Sequence, residues 1–270
     1  MTEARMQETP EFKPGTFCWV ELGTSDGAAA KKFYTELFGW DFNDHEMGPG
    51  MVYTMLTLNG KEVGALYQMP PDMASMGIPP NWLSYAAVAS ADESAGKAKE
   101  LGATLMKEPF DVMDVGRMAV VQDPTGAVFA LWEGRAHKGA GIVNVPGAFV
   151  WNELATTDTA KAGEFYSALF GWRPDVKQFG PMEYTIFQHG ERGAGGMFQI
   201  TPEMKGVPPH WLVYFSVDDC DATVKKATEL GAKTMKPADD IPGVGRFAIL
   251  TDPQGAAFAV IKTEPSPAHS

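Results

Sequence analysis

Residues Phe17–Gly23 form an apolar-rich run with the character of a strand, and the pattern then changes period. Ala30, Phe33, Tyr34, Leu37 and Phe38 recur at the spacing of one helix face. Asp26 sits where an N-cap belongs, because its short carboxylate can accept the unpaired N–H groups of a first turn. Gly39 sits where a left-handed residue would stop the helix. Two strands follow, Val52–Leu58 and Val63–Gln68, joined across Asn59-Gly60, a strong hairpin signal. The order then recurs: a strand at Trp82–Val88, a helix at about 92–101, and strands around Thr104, Arg117–Val121 and Ala127–Trp132. An Asp-Pro-x-Gly run at 123–126 is turn chemistry, with Pro presetting φ and Gly tolerating the exit geometry. These elements make a βαβββ module repeated twice.

The whole arrangement then occurs again. FCWVELGTSDGAAAKKFYTELFGW at 17–40 matches FVWNELATTDTAKAGEFYSALFGW at 149–172 in 14 of 24 positions, a shift of 132. Average composition would produce about one or two identities. PPNWLSYAAV pairs with PPHWLVYFSV, and VGRMAVVQDPTGAVFALWE with VGRFAILTDPQGAAFAVIK, by which point the shift is 129. Asp158, Gly171 and the 252–255 turn repeat the cap, stop and turn of the first copy. A duplicated domain follows, with boundaries expected near 12–137 and 146–264. HKGAGIVNVPG is the connector, and the TEPSPAHS tail is expected to be loose.

Composition narrows the function classes. The chain has 270 residues and a formal net charge of −12. That charge opposes binding to nucleic acid or to an anionic membrane. No apolar run approaches the ~20 residues of a membrane span, and MTEARMQETPEFKPG lacks the apolar stretch of a signal peptide. Cys18 and Cys220 occupy non-equivalent positions of the repeat, so two buried free thiols and a reducing cytoplasm are expected.

Strand, Asp-capped helix, FYxxLFGW and a late DPxG turn together resemble the vicinal oxygen chelate superfamily of glyoxalases, bleomycin-resistance proteins and extradiol dioxygenases. Within it the chain is similar to a tandem two-domain glyoxalase-like subgroup. The resemblance implies an α+β chain of two tandem glyoxalase-like domains. In each, two βαβββ modules would curve a mixed sheet into a cup, with helices on its convex side. It also implies where a metal would be held. The first-strand ligand pattern falls on Trp19-x-x-Leu22-x-Thr24-x-Asp26 and Trp151-x-x-Leu154-x-Thr156-x-Asp158. The second ligand position falls on Leu83 and Leu212, and the last on Ala130 and Ala259. None of these side chains has a lone pair suited to a divalent cation, so no metal and no cofactor are expected. A remaining metal reading would need an improvised set such as His189, His210 and Glu153.

Alternation of side chains places Phe17, Trp19 and Glu21 in the first cup, with Leu83, Tyr85, Val128, Ala130 and Trp132. Phe149, Trp151, Glu153, Leu212 and Tyr214 line the second. The lining is aromatic with a few polar groups, the usual make-up of a small-molecule site. The tryptophans either meet a ligand or fill the space where a metal would be. Glu21 and Glu153 recur in both copies, and an unpaired carboxylate is costly to bury. They read as ion-pair partners of Arg117 and Arg246, as acid/base groups, or as exposed rim residues. His210 reads as a hydrogen-bonded loop residue or as a proton-transfer group. Asn152, opposite Val20 of the first copy, is expected at a helix or domain interface. The expected ligand contacts are Trp19, Tyr85, Arg117, Trp132, Trp151, His210, Tyr214 and Arg246, with Glu21 and Glu153 as candidate catalytic groups. The leading functional expectation is a monomer or homodimer that binds an aromatic or conjugated small molecule without metal. A glyoxalase-like lyase or isomerase using Glu21 or Glu153, and a protein-interaction module, are the alternatives.

Overall fold

The computed structural model describes residues 10–180 and 182–264. The first residues, read above as carrying no leader, and most of the loose-tail expectation lie outside the described residues.

The first half runs β1 (Phe17–Thr24), α1 (Gly27–Phe38), β2 (Asp41–Gly48), β3 (Met51–Leu58), β4 (Lys61–Gln68), α2 (Pro71–Ser75), β5 (Asn81–Ala87), α3 (Ala91–Glu100), β6 (Thr104–Val112), β7 (Gly116–Gln122) and β8 (Val128–Gly134). The second half runs β9 (Phe149–Thr156), α4 (Thr159–Phe170), β10 (Arg173–Phe179), β11 (Met182–His189), β12 (Arg192–Gln199), β13 (His210–Ser216), α5 (Cys220–Glu229), β14 (Lys233–Ile241), β15 (Gly245–Thr251) and β16 (Ala257–Thr263). The local signals act as their chemistry requires. Asp26 and Asp158 accept from the N–H groups of Ala29 and Lys161, and Gly39 and Gly171 end their helices at φ 71° and 74°. Asn59 and Gly60 turn the β3–β4 hairpin at φ 53° and 75°. The short helix α2 was not predicted; it fills the connection between β4 and β5.

Among the described residues the strands make two eight-stranded sheets, ordered β2-β3-β4-β1-β5-β8-β7-β6 and β10-β11-β12-β9-β13-β16-β15-β14. Inner strands β1 and β4 are parallel, as are β5 and β8, while β1 and β5 join the two modules antiparallel. Both modules of a cup therefore come from one half of the chain. The expected α+β architecture of two tandem curved sheets is the one observed. No helix among the described residues is long and apolar enough to cross a membrane.

The repeated FYxxLFGW motif is a clasp between the halves. Tyr34 of α1 donates to Asp252 Oδ2 at 3.0 Å, and Tyr166 of α4 donates to Asp123 Oδ2 at 2.8 Å. Each aspartate belongs to the opposite half's DPxG turn, where its other oxygen accepts backbone N–H groups. Each tyrosine also accepts an indole N–H, from Trp82 at 2.9 Å or Trp211 at 2.8 Å. The closing tryptophans reach across as well: Trp40 Nε1 donates to Gly147 O at 2.6 Å, and Trp172 Nε1 to Gly15 O at 2.7 Å. Asn152 meets the expectation placed on it, accepting from Ser84 Oγ at 2.6 Å at a buried junction of β9 with β5. Cys18 and Cys220 are both buried and free.

Phe17 departs from its expected place in the first cup. The β1–β5 register slips between Phe17 and Trp19. A bulge of this kind breaks the two-residue alternation. Its ring packs instead on Trp211 and Trp172, with centroids 4.9 and 5.9 Å away, within the inter-domain core.

Candidate functional site

Cross-strand register collects the lining of each cup, because directly opposed residues share a face. In the first sheet Glu21 lies opposite Ala65 and Leu83, and Trp19 opposite Tyr85. Tyr85 in turn lies opposite Ala130, Ala87 opposite Trp132, and Tyr53 opposite Tyr67. In the second sheet Glu153 lies opposite Gly196 and Leu212, and Tyr214 between Trp151 and Ala259.

The two glutamates are held by phenols. Tyr53 donates to Glu21 Oε2 at 2.7 Å and Tyr85 donates to Glu21 Oε1 at 3.0 Å. Tyr214 donates to Glu153 Oε1 at 2.7 Å, and Tyr184 lies close enough to the same carboxylate to favour its charged form. Behind each outer tyrosine stands the repeat's tryptophan. Trp151 Nε1 donates to Tyr184 Oη at 3.0 Å, and Trp19 lies beside Tyr53 at the matching place. A cluster of one tryptophan, two tyrosines and one glutamate thus recurs in both cups. Burial raises the pKa of Glu21 and Glu153, and the tyrosine hydrogen bonds pull it part of the way back. The tyrosines are pushed well above their ordinary range by burial, and secondarily by the glutamate charge. Burial in the cup therefore opposes the charged form of both kinds of group.

The arginines are not part of this cluster, which corrects the expected Glu–Arg pairs. Arg117 grips Asp92 with Nε and Nη2 at 2.6 and 2.9 Å, and reaches Asp111 at 3.3 Å. Arg246 grips Asp221 at 2.7 and 3.0 Å and reaches Asp240 at 3.1 Å. Alternation explains the error. Met118, not Arg117, is opposite Trp132, so Arg117 faces the helices, fastening α3 to the β6–β7 edge. Glu133 shares that side and caps α3 through the N–H of Ala91 at 3.0 Å. Phenol hydroxyls, two at Glu21 and Tyr214 at Glu153, take the place expected for the arginines.

Of the other expected residues, Trp132 packs edge-on to Tyr85, with centroids 6.2 Å apart, and donates to His137 O at 2.9 Å. Its ring occupies the space of a Gly116 side chain: a Cβ there would collide with the indole. His210 Nδ1 is 2.8 Å from Pro208 O, just as Asn81 Nδ2 is 2.8 Å from Pro79 O, so both brace the same turn. Sequence reasoning missed Tyr53, Tyr184, Tyr67 and His137. The first two carried a signal, since Tyr53-Thr54 and Tyr184-Thr185 recur in both copies. His137 lies in the connector and has no such signal.

A sequence model of one family matches this chain twice, at residues 16–131 and 148–260. The chain belongs to the Glyoxalase/Bleomycin resistance protein/Dioxygenase superfamily. Among members of this superfamily, the chain is 45% identical over 262 residues to "Putative glyoxylase CFP32" of Mycobacterium tuberculosis, covering 96% of this chain and 99% of that one. It is 36% identical over 261 residues to "Anthracycline biosynthesis protein DnrV" of Streptomyces peucetius, covering 93% and 94%. The fold is shared with the Mn(II)-bound glyoxalase of Novosphingobium aromaticivorans at TM-score 0.65 and 15% identity, covering 96% of this chain and 85% of that one. It is shared also with the 2,3-dioxygenase LapB of Pseudomonas sp. KL28 at TM-score 0.64 and 10% identity, covering 96% of each. The superfamily's ligand positions do not fit a divalent cation here: they hold Trp19, Leu83 and Ala130, and Trp151, Leu212 and Ala259. Among the described residues no three His, Cys, Asp or Glu side chains converge to replace them.

Proposed function

We propose that this protein binds a flat, conjugated small molecule against the aromatic concave face of its sheets, with no divalent cation at the superfamily's position. The observation that carries the reading is the repeated cluster of tryptophan, tyrosines and a glutamate, beside Trp, Leu and Ala at the positions the family resemblance assigns to metal ligands. Flat aromatic walls and a few convergent hydroxyls suit fused-ring ligands. Two relatives are named for anthracycline biosynthesis, and an anthracycline is a fused-ring conjugated molecule. The test is tryptophan-fluorescence titration of EDTA-stripped protein with anthraquinone-2-sulfonate, alongside elemental analysis. Saturable quenching in the stripped protein is expected. Binding that appears only after a divalent metal is restored would overturn the metal-free reading.

A lyase or isomerase role draws support from the same geometry. A carboxyl of raised pKa between two phenols can pass a proton to or from an enolisable ligand. The double variant Glu21→Gln with Glu153→Gln should then abolish solvent-deuterium exchange into such a ligand while leaving it bound. Unchanged exchange in the double variant would remove the glutamates from any chemistry.

A further inference from the structure

The two cups share this cluster but differ beside it. In β1 and β4, Gly23 lies opposite Tyr67. At the same places in β9 and β12, Ala155 lies opposite Phe198. The pair changes together because the phenol lies over the glycine: a Cβ on Gly23 would stand 3.1 Å from Tyr67 Oη. The first cup therefore carries a hydroxyl that the second lacks, and a glycine that leaves room for it.

That hydroxyl is unspent. Tyr53 and Tyr85 give their protons to Glu21, and Tyr214 gives its proton to Glu153. Among the described residues the Tyr67 hydroxyl bonds only to Met73 Sδ, at 4.0 Å, and a thioether is a weak acceptor. Tyr67 is half-buried, and so are Tyr53, Leu83 and Met73. Burial of the Tyr67 phenol and the nearby Glu21 charge push its pKa up to about 12, so it stays a donor at neutral pH.

The other end of the first cup is shut. Trp19, Tyr85, Trp132 and Met118 are all buried. His137 closes over them from the connector, 4.6 Å from the Trp19 ring and 6.0 Å from Trp132. The connector is strapped down by Ala140 N to Cys18 O at 2.8 Å and Gly141 N to Glu62 O at 2.7 Å. At the opposite end Tyr67, Tyr53, Leu83 and Met73 keep part of their surface exposed.

We propose that the first cup is the ligand site and that Tyr67 determines its specificity, donating its O–H to a carbonyl oxygen of a conjugated ligand; the proposal rests on the binding reading above. The second cup, with Phe198 in that place, lacks the donor.

The test compares anthraquinone-2-sulfonate with anthracene-2-sulfonate, which has the same ring frame without the carbonyl oxygens. Isothermal titration should give one site per chain for the quinone. Tyr67→Phe should weaken the quinone ~5–10-fold, the loss of one hydrogen bond, and leave the anthracene unchanged. Gly23→Ala, which copies the second cup and pushes on the phenol tip, should act in the same direction. Circular dichroism confirms that both variants are folded. Quinone affinity unchanged by Tyr67→Phe, or lost in Trp151→Ala instead, overturns the inference while the binding reading stands. Wild-type protein that binds neither probe overturns both.

Discussion

Removing one oxygen atom from the inter-domain clasp should loosen the whole molecule. Tyr34→Phe keeps the ring that stacks on Phe38 and Trp40 but deletes a hydroxyl with two partners. It loses the bond to Asp252 at 3.0 Å and leaves the buried Trp82 N–H, 2.9 Å away, without an acceptor. A hydrogen bond to a charged group contributes about 1.5–3 kcal/mol, and an orphaned buried donor costs about 1–3 kcal/mol. Burial already raises the Asp252 pKa, which weakens the charge on the acceptor, so the lower part of both ranges applies. The expected loss is ~3 kcal/mol. For a chain of 270 residues this is a fall in melting temperature of roughly 6–10 °C. Urea unfolding followed by circular dichroism measures it directly, and Tyr166→Phe should match it, since Asp123 and Trp211 repeat the geometry. Trp82→Phe removes the donor that Tyr34→Phe would orphan, so the double variant should be more stable than the sum of its parts by about 1 kcal/mol or more. A loss below about 1 kcal/mol in both single variants, or strict additivity in the cycle, would refute the clasp.

Glu21→Gln should change how stability depends on pH. The folded-state pKa is raised above the ordinary 4.5, so the folded protein holds a proton that the unfolded chain releases. Its contribution is full below 4.5 and is lost as pH rises through the folded value; the glutamine variant should lack that part of the decline in chemical-denaturation curves taken upward from pH 4.5. Glu153→Gln should behave alike, its pKa being raised by the same burial. Gly116→Ala places a Cβ against the Trp132 indole and should destabilise by about 1–3 kcal/mol, read by thermal melt. Arg117→Gln should leave quinone titration unchanged, because its partners Asp92 and Asp111 lie outside the cup; a loss of affinity would return the arginine to the site.

Much of the fold was legible because its signals are local. Asp26 and Asp158 cap helices within three residues, Gly39 and Gly171 stop them, and Asn59-Gly60 turns a hairpin. Duplication doubled the cap and stop signals. The glutamates' place in the cups was legible too, since alternation is a property of the strand itself. Their partners were not. Arg117 was set beside Glu21 because opposite charges were both retained, but one residue of register turns a side chain to the other face of a sheet.

Sequence by itself determined that there are two copies, the order of elements in each, and the caps and turns. Tertiary structure alone decided that Tyr53 and Tyr85 hold Glu21, that a β1 bulge sends Phe17 into the inter-domain core, and that His137 closes a cup. It also decided that Tyr34 reaches an aspartate 218 positions away. The physical reason is range. Caps, turns and face alternation depend on backbone geometry over a few residues. A hydrogen-bond partner depends on which strands become neighbours and in what register, and that is settled only when the sheets close and the two halves dock.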